Sequence, residues 1–181
     1  KMDSEIDSSN YPVTRLIHSF DFEQKYAFGE FARYETGYRF LMRREGREYL
    51  LIKEDDSNIV ESNLGCGEDV DLSLVRFGIW IMFGLVIAPL KGIAIHSSVI
   101  VKDDCAVLCL GESGTGKSTH TRLWREHIEG ARLLNDDSPI IRMIDGKAIA
   151  YGSPWSGKTH CYVNKCVPIR AFMRLSQAPY N

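Results

Sequence analysis

The sequence predicts an α+β fold: a small β-rich N-terminal region over residues 1–70, then an α/β core over residues 71–181. Three observations carry the prediction. Apolar and polar residues alternate in two short runs between residues 38 and 53, the period of half-buried strands. An apolar run from about residue 72 is long enough for a helix and stops before Pro89. Further on, an apolar strand feeds a glycine-rich loop that opens a helix at Lys117.

Taken in order, residues 1 to about 10 are polar and read as a frayed terminus. Tyr38 to Arg43 and Glu48 to Lys53 read as strands joined by a turn at Arg44-Glu45-Gly46-Arg47. A second turn, Asp55-Asp56-Ser57-Asn58, leads into Ile59-Val60, and residues 61–70 read as a polar linker. Asp69-Val70-Asp71 heads a helix from Leu72 to Ala88. Its most apolar stretch, Phe77 to Leu90, is about fourteen residues long. A membrane span needs roughly twenty, so a buried core helix is expected. Strands follow at residues 92–96, 98–101 and 106–110, then a helix from Lys117 to about Glu129 closed by Gly130. Strands at 132–135, 140–144, 148–151 and 167–175 complete the pattern.

Composition narrows the function classes. With 44% hydrophobic and 25% charged residues among 181, the chain has the balance of a globular protein. A net charge of −2 gives no broad electrostatic footprint for nucleic acid or an anionic membrane, so neither is expected as a partner. The first fifteen residues are polar and lack the apolar centre of a signal peptide. The five cysteines, 66, 105, 109, 161 and 166, are odd in number and show no C-x-x-C spacing. They read as reduced thiols in a cytoplasmic protein, with Cys105 and Cys109 buried beside an apolar run.

The run Gly111-Glu112-Ser113-Gly114-Thr115-Gly116-Lys117-Ser118, followed by Thr119, matches G-x-x-x-x-G-K-[ST] at every position. Its glycines let backbone N–H groups turn inward as an anion nest, and the following helix adds its N-terminal partial charge. Lys117 is placed to reach β- and γ-phosphates, and Ser118 to offer a hydroxyl to Mg²⁺. ATP and Mg²⁺ are therefore the expected ligands. The guanine reader Asn-Lys-x-Asp is incomplete, since Asn164-Lys165-Cys166 ends in Val167. About twenty residues after Lys117, an apolar strand ends in Asp136-Asp137. One aspartate can hold Mg²⁺ while the other faces an incoming hydroxyl as general base.

From Gly92 to Asp137 the chain resembles the HPr kinase/phosphorylase family, relatives of phosphoenolpyruvate carboxykinase. The residues that carry the likeness are Ile95-His96-Ser97-Ser98, the Gly111–Ser118 loop and the strand ending in Asp136-Asp137. The resemblance implies a core with a mixed sheet and a kinase that phosphorylates a hydroxyl. It implies His96 assisting phosphoryl chemistry, Lys117 and Ser118 on nucleotide and metal, and Asp136 and Asp137 as metal ligand and base, with Asp137 favoured as base. Where HPr-directed enzymes carry a Gly-rich, Glu-containing segment, this chain has Gly152-Ser153-Pro154-Trp155-Ser156-Gly157-Lys158-Thr159. That run resembles the Pro-Trp-Ser-Gly segment of shorter relatives, so the acceptor is expected to be a serine of a protein, peptide or free amino acid rather than HPr by default.

Several residues are secondary candidates. His120 could approach the nucleotide, and His127 suits a helix C-terminus. Lys158 could contact phosphate, Trp155 could stack on a base, and Arg122 and Arg125 read as a solvated helix face. Two rival functions stand beside the kinase: a phosphoenolpyruvate carboxykinase-like enzyme, and a non-catalytic module that senses ATP. Homo-oligomerisation stays open.

Overall fold

A computed structural model describes residues 1–2, 5–23, 26–65, 70–157 and 159–177. The chain divides into two compact units, Lys1–Val86 and Ile87–Asn181. The division lies beyond residue 70 because the long apolar helix packs with the N-terminal sheet.

The first unit is an antiparallel meander of β1 (Arg15–Asp21), β2 (Phe28–Tyr34), β3 (Gly37–Arg44), β4 (Arg47–Glu54) and β5 (Glu61–Ser62), neighbours in chain order. The hairpin between β3 and β4 turns on Glu45 and Gly46 at φ 50° and 76°, the left-handed turn that matches strand twist. Alternation then sends Phe40, Met42 and Leu51 to one face and Leu41, Leu50 and Ile52 to the other. Helix α1 (Leu72–Ile87) lays Leu74, Val75 and Met82 on the first face. Asp71 caps it, Oδ1 accepting from Ser73 N at 2.9 Å and Leu74 N at 3.2 Å.

Two expectations are corrected here. The N-terminal stretch was expected to fray, but Ile6 and Tyr11 pack on the second face, and Tyr11 O accepts from Arg39 Nη1 at 2.6 Å. Two apolar side chains suffice because the sheet offers a second apolar face. The helix was expected to be buried. With the 3-10 turn Ala88–Leu90 that follows α1, the segment Leu72–Leu90 is 19 residues long and apolar enough to cross a membrane by length and composition, and 22% of its 18-residue apolar window is buried. The sheet takes only one side of α1, and Leu72 and Ile79 stay exposed.

The second unit contains β6 (Gly92–Ala94), β7 (Ser97–Lys102), β8 (Cys105–Leu110), α2 (Lys117–His127), β9 (Arg132–Asp137), β10 (Ile140–Ile144), β11 (Lys147–Tyr151) and β12 (Cys166–Arg174). Its seven-stranded sheet has the order β6-β10-β11-β12-β8-β7-β9. The sheet is mixed: β12 runs parallel to β8, while β7 is antiparallel to both β8 and β9. Val99, Val101, Leu108, Leu134, Ile141 and Val167 form its core. Strand β9 is an edge, so its far side is free to meet a loop. Among the described cysteines, Cys109 and Cys161 are buried and Cys166 is exposed. Cys105, expected to be buried, is half-exposed at the start of β8; Cys66 lies outside the described residues.

Candidate active site

The glycine-rich loop leaves β8 and enters α2 with Gly111, Gly114 and Gly116 at φ 154°, 83° and 95°. L side chains rarely adopt this region, which accounts for the glycine spacing. At Gly111 a Cβ would also meet Thr115 Oγ1 at 2.6 Å and Leu175 O at 2.9 Å. The loop is closed internally: Thr115 Oγ1 donates to Glu112 O at 2.9 Å. Lys117, the first residue of α2, curls back so that Nζ donates to Gly111 O at 2.8 Å and Glu112 O at 2.9 Å. The ammonium group is thereby held at the loop. His120 N bonds to Gly116 O at 2.8 Å, so the amides of Lys117, Ser118 and Thr119 precede the helical ladder.

Helix α2 is anchored on β7 by a buried hydroxyl pair. Ser98 Oγ and Thr121 Oγ1 are 2.9 Å apart, and Thr121 Oγ1 donates to Ser118 O at 3.2 Å. On the other side of β7, antiparallel pairing sets Ser98 opposite Asp136 and Ser97 opposite Asp137. One strand thus sets the helix that follows the loop and the aspartates in a common frame.

A cleft of about 360 Å³ lies at this end of the sheet. It is lined by His96, Ser113, Gly114, Gly116, Lys117, Ser118, Thr119, Asp136 and Asp137, all singled out in the sequence. Gly111, Glu112 and Thr115 do not line it; they form the back of the loop. Asp136 is 3% exposed, and its Oδ2 is buried with no hydrogen-bond partner among the described residues. Leaving a carboxylate oxygen so costs free energy, so the atom is suited to a cation. Asp137 is more open, with Oδ1 3.2 Å from His96 Nδ1.

A Mg²⁺ ion fits this donor set. It favours one or two protein oxygens, completed by water and phosphate, over a cage of side chains. Asp136 Oδ2 and the Ser118 hydroxyl are such oxygens. Among the described residues there is no cluster of three or more His, Cys, Asp or Glu that could hold a metal by itself.

Ser97, Ser98 and Gly157 also line the cleft; they belong to the runs that carry the resemblance, but none of them was expected in the site. Gly157 N donates to Asp136 O at 2.7 Å, and Ser156 bridges to Asp137. A Cβ on Gly157 would lie 2.7 Å from Asp136 O, so only glycine allows this approach. Asn135, wholly buried on β9, joins the same assembly. Its Oδ1 accepts from Asp137 N at 3.1 Å and Ser138 N at 2.9 Å, while Nδ2 donates to Ser153 Oγ at 3.2 Å and Trp155 O at 3.1 Å. An Asn interrupting an apolar run directly before the aspartates was the one available signal.

The secondary candidates that the structure describes lie outside the cleft lining. His120 Nε2 accepts from Trp124 Nε1 at 3.0 Å, so its own helix engages it. His127 sits in the last turn of α2, and Arg122 pairs with Glu126 at 2.8 Å. Arg125 is exposed on α2, and Trp155 is half-buried, meeting Asn135 through its carbonyl. Lys158 lies outside the described residues.

Fold and cleft together define a mixed α+β protein, mostly strand, with two α-helices among the described residues and a polar cleft at one end of a mixed sheet. No protein-family model matches the chain, and no curated protein matches it.

Proposed function

We propose that this chain is an ATP- and Mg²⁺-dependent kinase of the HPr kinase-like type, transferring a phosphoryl group to a hydroxyl. The acceptor class is a serine of a protein, a peptide or a free amino acid. The observation that carries the reading is that Asp136, whose buried Oδ2 has no hydrogen-bond partner among the described residues, lines the same cleft as Lys117 and Ser118. A carboxylate, an ammonium group and a helix N-terminus around one cleft suit a metal-bound polyphosphate better than either ligand alone.

Each side chain then has a task. Lys117 exchanges its two loop carbonyls for phosphate oxygens and neutralises charge there. Ser118 and Asp136 hold Mg²⁺, which when bound draws charge from the phosphate oxygens. Asp137 takes the proton of the acceptor hydroxyl as that oxygen bonds to the γ-phosphorus, while the bond from that phosphorus to the bridging oxygen breaks and ADP leaves with the electron pair. His96 Nδ1–H donates to Asp137 and turns the other carboxylate oxygen toward the acceptor. Such catalysis is mainly positioning and electrostatics, so few residues suffice.

The test is transfer of label from γ-labelled ATP to serine, serine peptides and the proteins of a cell extract, with Asp137→Asn as control. Mg²⁺-dependent labelling that Asp137→Asn abolishes supports the kinase. Tight Mg-ATP binding with no labelled acceptor would replace it with the nucleotide-sensing module.

A further inference from the structure

We infer that Asn135 is a positioning residue for the metal half of the cleft, coupling the Ser153–Gly157 segment to the Asp136–Asp137 pair; the inference rests on the nucleotide reading above. Strand β9 is an edge, so no further strand fixes the direction in which it ends. Its register against β7 also slips at this point: Val99 pairs with Asn135 and Ile100 with Leu133. Such a bulge re-aims the residues beyond it and needs something to hold the new course.

The Asn135 amide supplies the hold. Burying an amide is costly unless both ends are bonded, and here both are. The oxygen grips the amides of Asp137 and Ser138, and the nitrogen reaches Ser153 and Trp155. Ser153 Oγ closes the ring by donating to Ser138 O at 2.7 Å. From the other side, Gly157 N holds Asp136 O at 2.7 Å. The bonds that reach the aspartate turn take its main-chain atoms, Asp136 O, Asp137 N, Ser138 N and Ser138 O, and none of them takes a carboxylate oxygen. The clamp therefore fixes where the carboxylates stand while leaving them available to ligands. An aspartate at position 135 could accept from the turn but could not donate to the Trp155 carbonyl.

A residue that only stabilised the fold would affect every ligand alike. A positioning residue for the metal ligand should separate metal-dependent from metal-free binding. The experiment uses Asn135→Ala and, should that variant fail to fold, Ser153→Ala, which removes one partner of the ring. Calorimetry measures ADP binding without metal and the Mg²⁺ concentration that half-saturates ATP binding. The expected result is metal-free ADP affinity within about twofold of the parent and a Mg²⁺ requirement raised roughly 10- to 100-fold, the usual effect of outer partners of a metal ligand. Equal losses with and without metal, or none, would overturn the inference and leave Asn135 a structural amide. A folded parent that binds no ADP overturns the nucleotide reading, and this inference with it.

Discussion

His96 Nδ1 lies 3.2 Å from Asp137 Oδ1, joining the residue before β7 to the last residue of β9. At this distance the imidazole stands beside the proposed base and can orient it without displacing it. Asp137→Asn should slow phosphoryl transfer by about 10²- to 10⁴-fold with Mg-ATP affinity nearly unchanged. His96→Ala should lower turnover by less than that, through loss of orientation alone. Single-turnover kinetics beside calorimetry separates the two effects. Turnover equal to the parent in Asp137→Asn would remove it as the base.

Asp136 should fail differently. With one oxygen buried and unpartnered among the described residues, it is the group whose loss a metal would feel. Asp136→Asn should weaken ATP binding only when Mg²⁺ is present. Metal titrations of the parent and the variant check this, and parallel curves would contradict the assignment.

Gly157 offers a steric test of the same assembly. An alanine there would set a Cβ 2.7 Å from Asp136 O and 3.4 Å from Asp137 Cβ. The backbone must move, and overpacking of this kind costs about 1–3 kcal/mol. Gly157→Ala should lower both the melting temperature and Mg-ATP affinity. Gly84→Ala in α1, where an added Cβ meets nothing within 4 Å, should instead be neutral or slightly stabilising.

The first unit has its own pH signature at Asp71. Burial pushes its carboxyl up, but hydrogen bonds from Tyr26, the Leu74 amide, Arg44 and the Ser73 amide outweigh that and hold it below the usual carboxylate range. A lowered folded value means that the stabilisation is present above the unfolded carboxylate range and fades as pH falls through the folded value. Asp71→Ala should therefore cost about 0.5–2 kcal/mol at neutral pH, as cap losses do. The gap to the parent should close in acid. Thermal melts of both proteins from neutral pH to pH 2 measure it.

Thiol chemistry follows burial. Burial pushes the Cys109 thiol up to about 11 and raises Cys161 as well. At neutral pH both should resist alkylation in the folded protein, while exposed Cys166 reacts before either of them. Mass spectrometry after a short iodoacetamide pulse checks the order.

Much of this arrangement was legible in the sequence because it is local. Gly46 between two alternating runs marks the β3–β4 hairpin, and the glycine spacing marks the loop before Lys117. Asp136 and Asp137 stood out because two carboxylates rarely end an apolar strand without a task. What was hidden depends on distant pairing. Nothing near Ile6 or Tyr11 says that a sheet lies over them. The helix after Asp71 reads as a core helix because composition cannot tell one buried face from two. Asn135 reads as a single polar lapse until Ser153 and Trp155 are brought beside it. The insertion of β12 next to β8, by which Leu175 N bonds Leu110 O at 2.7 Å, is likewise a matter of topology.

The central claim is that the loop from Gly111 to Ser118 and the Asp136 carboxylate bind Mg-ATP. Isothermal calorimetry of the folded chain against Mg-ATP, beside Lys117→Ala, tests it most directly. Among the described residues Lys117 Nζ bonds loop carbonyls alone, at 2.8 Å and 2.9 Å, so its removal should spare the fold. The account predicts saturable binding at one site, weakened at least tenfold by Lys117→Ala. Absence of saturable binding at millimolar Mg-ATP, or equal affinity in the two proteins, would contradict it.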